Sequence, residues 1–436
     1  MARLSPTEAA IRTRTPSPAS GWLWAIVLIA SATVPAKAQE QQQQVSFNRI
    51  VVDAKLYPNH RKPKVIGDFA NDGNPGIAAQ AGSHGFGIYR TPCFARHIIN
   101  SYHKAQGAED AQAVDINGDG ALDIVVGGLG GRTYWLENPL KSGKDPYSSY
   151  WPMHMIGTHH YSHDVVVGDM FKAGKIDIAT ESGVWHRADL GTGWSLTRVL
   201  QGLNVWGPWS LITGIPRSDE GTSLVDMLGD KYLDVVAPYR STSLAWFENP
   251  AHHGGNPYKE VWTPHVIDAH PGFSAKDGGM TTATADFNGD GRIDVAMAPM
   301  YADGKLVWYE APVDRRAGTW IKHVISDASY VHQGSLQIAD FNGDGTLDIG
   351  FAEQEQSSSK RIGIWFPHGS GNSWTLSVLA RSGGQNIKAG RVGHGPLPSL
   401  LSANHGYYGA PNPLELFKND SGGPAPAQGG TCSRSG

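Results

Sequence analysis

The chain has 436 residues, of which 17% are charged, and a formal net charge of -4. With no Lys/Arg run or basic patch, nucleic acid is not a favoured partner. Two cysteines, Cys93 and Cys432, are too few to hold a chain of this length together, and their pairing stays open at this point.

The N-terminus carries Arg3, Arg12 and Arg14, then the apolar stretch GWLWAIVLIASATVPA from Gly21, then the small-x-small sequence Ala36, Lys37, Ala38. This layout predicts a secretory signal peptide over 1–38, with an uncleaved signal anchor as the alternative. The apolar run is short of the ~20 residues that span a bilayer. No second such run follows, so the mature chain is expected to be secreted, extracellular or periplasmic, and without a membrane span. Residues 39–45 (QEQQQQV) read as a linker. Residues 421–436, rich in Gly, Pro and Ser, read as a disordered tail.

Residues 46–420 remain, more than one hydrophobic core usually serves. Three signals recur there in fixed order. The first is an aromatic followed by an aliphatic stretch, often with His in fourth place: FNRIVV (Phe47), FARHII (Phe94), WPMHMI (Trp151), WSLTRVL (Trp194), WTPHVI (Trp262), WIKHVI (Trp320) and WTLSVL (Trp374). The second is a Gly-rich, acidic loop starting near Asp68, Asp115, Asp169, Asp226, Asp286 and Asp340, and badly eroded around Arg391. The third is a WFENP-type run at Ile88, Trp135, Val184, Trp246, Trp308, Ile364 and Leu414. Seven copies at a period of roughly 45–60 residues predict an all-β fold, a seven-bladed β-propeller of four-stranded antiparallel blades. The run before each acidic loop is then the innermost strand A. The loop joins A to B, the WFENP-type run is C, and the His-containing run is the outer strand D.

Three loops match D-x-N-x-D-G-x-x-D in full: DINGDGALD, DFNGDGRID and DFNGDGTLD. Alternate side chains at positions 1, 3 and 5 supply hard oxygens, Gly permits the sharp turn, and a last Asp closes a cage suited to Ca2+. The expected ligands are Asp115, Asn117, Asp119 and Asp123; Asp286, Asn288, Asp290 and Asp294; and Asp340, Asn342, Asp344 and Asp348. The other four loops read as turns held by packing, and the calcium as structural. This pattern resembles the FG-GAP/VCBS repeat family, also seen in integrin α-subunit heads.

The D-to-A and B-to-C connections face away from these loops and are rich in His, Tyr and Arg, which suits an acidic sugar. They include His84, His163 and Asp164, Tyr239 and Arg240, Tyr301, Glu353, Gln385, Asn386, Lys388 and His405. His97, His154, His265 and His323 share one repeat position and read as structural. GTHHYSHD from Gly157 reads as a polar strand entry or a zinc site.

The WFENP and W-x-x-H-x-I pair on such a frame also resembles propeller carbon–oxygen lyases. These are the rhamnose–glucuronate lyases, the ulvan lyases and the propeller of aldos-2-ulose dehydratase. That resemblance implies Arg240 as the group that neutralises a uronate carboxylate. It implies His84 and His163 as base or acid, with Tyr239, Tyr301 and His405 in support. The expected function is a carbon–oxygen lyase acting by β-elimination on a uronic-acid saccharide. The alternatives are a non-catalytic propeller binding a glycan or protein, and a hydrolase or metal enzyme using His159–His163. The expected partner is an acidic saccharide or glycan, and the expected state a monomer.

Overall fold

A computed structural model describes residues 45–56, 63–81, 85–101, 108–128, 132–158, 164–180, 183–187, 194–197, 221–239, 243–272, 280–300, 303–329, 331, 335–403 and 412–421. Their strands form seven four-stranded antiparallel sheets. In chain order these are blade 1 (64–100), blade 2 (108–158), blade 3 (166–197), blade 4 (223–268), blade 5 (280–329), blade 6 (336–380) and blade 7 (385–419 with 47–56). Within each blade the strands run A to D in spatial sequence. Blade 7 takes its D strand, Phe47–Leu56, from the start of the chain, pairing antiparallel with Asn412–Asn419. The FNRIVV run therefore closes the ring.

The innermost strands adjoin one another in a closed cycle, blade 1 to blade 7 and back to blade 1. The buried apolar side chains fall into seven clusters, each shared by two successive blades. A single four-stranded sheet cannot cover its own two faces. Stacking each sheet on the next does so, which is how a long chain avoids needing one large core.

The aromatic of the first signal is the wedge between blades. Trp151 of blade 2 is fully buried and meets Phe69 of blade 1 edge-on at 5.7 Å between ring centroids. Trp374 meets Phe287 of the preceding blade at 5.9 Å. Phe69 and Phe287 hold position 2 of their acidic loops, so an apolar residue there packs each loop on the next blade.

The shared His also has a packing role. His154, His265 and His323 lie opposite Trp135, Trp246 and Trp308 across the C–D pairing. Their rings stack at 4.5, 4.4 and 4.2 Å. Each Nε2 bonds the C-strand carboxylate, Glu137, Glu248 or Glu310, at 2.7, 2.7 and 3.0 Å. One ring thereby satisfies a carboxylate and covers an indole.

The Asn of the ENP runs joins neighbouring blades. Asn249 Nδ2 donates to Met170 O of blade 3 and Leu233 O of its own blade, at 2.8 and 3.0 Å. Its Oδ1 accepts from Ala251 N, capping a short 3-10 turn, Pro250–His253, whose first residue is Pro. Asn138 and Asn419 repeat the bridge, to Phe69 O and Phe341 O. Cys93 is in a disulfide, and Cys432 lies outside the described residues. Among the described residues no helix is long and apolar enough to cross a membrane.

Candidate functional site

Along the inner strands lies a polar cavity of about 250 Å3. Its lining includes Asp110, Gln112, Asp164, Thr282, Gln337 and Lys388, drawn from blades 2 to 7. Asp110 and Asp164 stand at the N-terminal ends of their A strands, and Lys388 is the fourth of six residues in Gln385–Gly390. The acidic loops follow the C-terminal ends. The lining runs along the strands, from Gly221 and Thr222 ahead of strand A of blade 4 to Thr284 and Ile338 near the ends of theirs.

Polar contacts between blades shape the cavity. Asp110 Oδ1 accepts from Lys388 Nζ at 2.8 Å and from Asn386 Nδ2 at 3.0 Å. Those two residues belong to blade 7 and Asp110 to blade 2, so the pair reaches past blade 1 across the axis. Asp110 Oδ2 accepts from Val165 N of blade 3 and from Gln112. Asp164 accepts from the backbone N–H groups of Gly221 and Thr222 of blade 4. Lys64 of blade 1, buried, donates to Gln385 O. An ion pair this enclosed has its charge matched. Beside it Gln112 Nε2 donates to Asp110, Thr282 Oγ1 donates to Gly221 O, and Gln337 donates to Leu336 O and accepts from Ala389 N.

Of the residues singled out in the D-to-A connections, the fold brings Asp164 and Lys388 to the cavity lining and Asn386 to Asp110 beside it, while Gln385 accepts from Lys64 through its carbonyl. Asp110, Gln112, Thr282 and Gln337 were missed. They sit inside strands, where a polar residue in alternation reads as an ordinary solvent-facing position. His84, His163, Arg240, Tyr301 and His405 lie outside the described residues, as does the cluster His159–His163. Tyr239 ends strand B of blade 4 and is buried, its ring edge-on to Phe247 at 5.7 Å in the core between blades 3 and 4. Glu353, fully buried, is held by Arg361 through Nε and Nη2 and by Ser357 and Ser359. That carboxylate braces its own hairpin.

The three intact acidic loops share one geometry. Asp115 accepts from Gly118 N and Asp119 N on Oδ1 and from Gly120 N on Oδ2. Asp286 and Asp340 do the same in their loops. Asn117, Asn288 and Asn342 each donate to the following Asp. The position-9 carboxylate is fully buried and doubles as a clamp. Asp123 Oδ2 accepts from Ile116 N, and Oδ1 from Asn138 N. Asp294 likewise holds Phe287 N and Ala311 N. This clamp explains why Asp177 and Asp234 persist in loops with an incomplete ligand set: they hold Met170 N and Met227 N.

The donor set fits a hard cation. Burial, with the neighbouring charges of Asp119 and Asp115, pushes Asp123 up to about 7. Asp294 and Asp348 rise to about 7 and about 8 for the same reasons. Asp348 Oδ1 is buried with no hydrogen-bond partner. Ionised oxygens keep lone pairs free beyond these bonds. As the side chains stand, no group of three or more His, Cys, Asp or Glu among the described residues is drawn together as a metal cage.

The FG-GAP-like repeat family matches residues 226–297 and 286–351, which run from the acidic loop of blade 4 through blade 5 and into blade 6. No curated protein matches the chain. Among solved structures, a lectin of Agrocybe aegerita that recognises non-reducing terminal N-acetylglucosamine is similar at 15% identity, with a TM-score of 0.48. The match covers 82% of this chain and 94% of the lectin. BBS1N, solved in complex with ARL6DN, is similar at 11% identity over 87% of this chain and 99% of that one, TM-score 0.49. The V. cholerae biofilm matrix protein Bap1 is similar at 9% identity over 87% and 92%, TM-score 0.43.

Proposed function

We propose that this chain is a secreted, calcium-stapled propeller of seven blades that binds a saccharide at the axial mouth facing the D-to-A connections. One observation carries the reading: a cavity along the inner strands lined by carboxylate, hydroxyl and amide groups from successive blades. Such groups hydrogen-bond sugar hydroxyls in either direction. The volume lies below the ~300–1,000 Å3 usual for ligand clefts, which suits a single terminal sugar residue.

Calcium enters this reading as a staple held by the twelve ligands of the three intact loops. It neutralises clustered carboxylates and leaves the chemistry, if any, to the opposite face. The finer reading is β-elimination on a uronic-acid saccharide. It rests on the His, Tyr and Arg of the connections, with Arg240 neutralising the carboxylate and His84 and His163 moving protons.

Binding is tested on a glycan panel with wild type, Gln112→Ala and Gln337→Ala. Binding that falls at least tenfold in the variants supports the axial site; no binding by wild type, or equal binding by all three, overturns it. Elimination is tested on uronic-acid polysaccharides through the ultraviolet absorbance of an unsaturated uronate. Absorbance that grows with wild type but not with His84→Ala or Arg240→Ala supports the lyase reading, and no absorbance on any substrate ends it.

A further inference from the structure

The Asp226 loop, DMLGDKYLD, keeps the acids at positions 1, 5 and 9 but has Leu228 at position 3. Its backbone follows the intact loops: Asp226 accepts from Gly229 N, Asp230 N and Lys231 N. What differs is a side chain that enters from the 3-10 turn after strand C. The His252 side chain is 1% exposed, with Nδ1 2.6 Å from Asp230 Oδ2 and Nε2 2.8 Å from Asp234 Oδ1. Asp230 and Asp234 are the position-5 and position-9 acids.

We propose that the His252 imidazolium is the resident cation of this loop, bridging the two carboxylates that a divalent ion would otherwise join, so that blade 4 is stapled without metal. The chemistry follows from hydrogen-bond roles. A neutral imidazole has one N–H, whereas here both ring nitrogens face carboxylate oxygens, which accept when ionised. Asp234 is committed as an acceptor by Met227 N on Oδ2 and Asn249 N on Oδ1. Burial raises Asp234, and His252 and Asn249 work against that rise. With both oxygens accepting backbone N–H groups, the shared proton belongs on the ring. Burial opposes the charge on His252, but the hydrogen bonds to Asp234 and Asp230 and their charges outweigh it and lift the ring to about 9.

The groups facing the ring are Asp230 and Asp234, with Tyr232 edge-on at 5.7 Å. Lys172 of blade 3 lies beyond, over the Tyr232 ring and bonded to Asp230 O. Lys172 is a second positive charge at the rim of the loop, disfavouring a divalent ion further. Leu228 removes the position-3 oxygen that such an ion would need.

The test is histidine NMR on the labelled full-length chain, over about pH 6 to about pH 10, with saturating calcium and after chelation. His252→Gln identifies the resonance. Should that variant not fold, Asp230→Asn identifies it by a lowered midpoint and leaves the Asp234 clamp in place. The expected result is a doubly protonated ring near neutral pH, titrating near 9 with or without calcium. Asp230→Asn is expected to lower the midpoint by about one unit or more, the usual effect of one adjacent charge. A neutral ring near pH 7, or ring signals that shift when calcium is added, overturns the proposal.

Discussion

At Lys231 a long side chain holds φ 75, where the intact loops place Gly120, Gly291 and Gly345 at 86, 81 and 86. A left-handed conformation costs a side-chain-bearing residue ~1–2 kcal/mol. Lys231→Gly is therefore expected to stabilise the protein by about 0.5–1 kcal/mol after the added chain entropy of Gly, read as a higher urea midpoint. Glu248 makes a second residue-scale prediction. Burial would raise its carboxyl, but the Arg316 guanidinium, then His265 and His253, hold it down to about 2. A lowered acid contributes stability above its unfolded value, ~4.3, and loses it as pH falls through about 2. Glu248→Gln should thus show a smaller loss of Tm than wild type between about pH 5 and about pH 2. Equal losses would mean that the cluster is not coupled to folding. His252 carries the opposite sign. Its raised value contributes stability that is full below ~6.5 and is lost as pH rises through about 9. Melts of wild type and His252→Gln should therefore converge above about pH 9.

At the scale of the element, the informative unit is the junction where strand C meets the acidic loop. Asn249→Ala strands Met170 O and Leu233 O and removes the cap on Ala251 N. Each buried group left unpaired costs ~1–3 kcal/mol, so a loss of about 2–4 kcal/mol in unfolding free energy is expected by denaturant titration. An exposed control such as Lys259→Ala should change little. These junctions also show what a sequence reading can and cannot reach. The strand order A to D was legible because loop, Trp and His signals recur in register and packing demands an aromatic at each blade interface. The second duty of the position-9 Asp was not legible. A clamp and a calcium ligand call for the same residue at the same place. Nor was His252, because its partners are set by the reach of a 3-10 turn and not by any spacing along a strand. The axial mouth was half legible. Asn386 and Lys388 stood out as polar strand entries, but their partner Asp110 is 276 residues away from Asn386 in sequence and meets it only once the ring closes.

For the whole molecule, ring closure is the decisive event. The strand Phe47–Leu56 completes blade 7, so first and last segments are fastened together, and Arg49 pairs with the buried Glu415. The ring places strand starts at one face and acidic loops at the other, and the proposed function assigns binding to the first and calcium to the second. Calcium on the stapled side should raise stability by mass action, ~2.7 kcal/mol per site at a hundredfold excess over Kd. Chelation should accordingly lower Tm by several degrees, and an unchanged melt would mean the three loops are plain turns.

The division of faces is tested most directly by calorimetric titration of one saccharide ligand into three proteins at saturating calcium: wild type, Gln112→Ala at the axial mouth and Asp286→Asn in a calcium loop. Gln112→Ala is expected to lose at least tenfold in affinity, and Asp286→Asn, kept well below its lowered Tm, to bind as wild type does. Full affinity in Gln112→Ala together with lost affinity in Asp286→Asn would contradict that division.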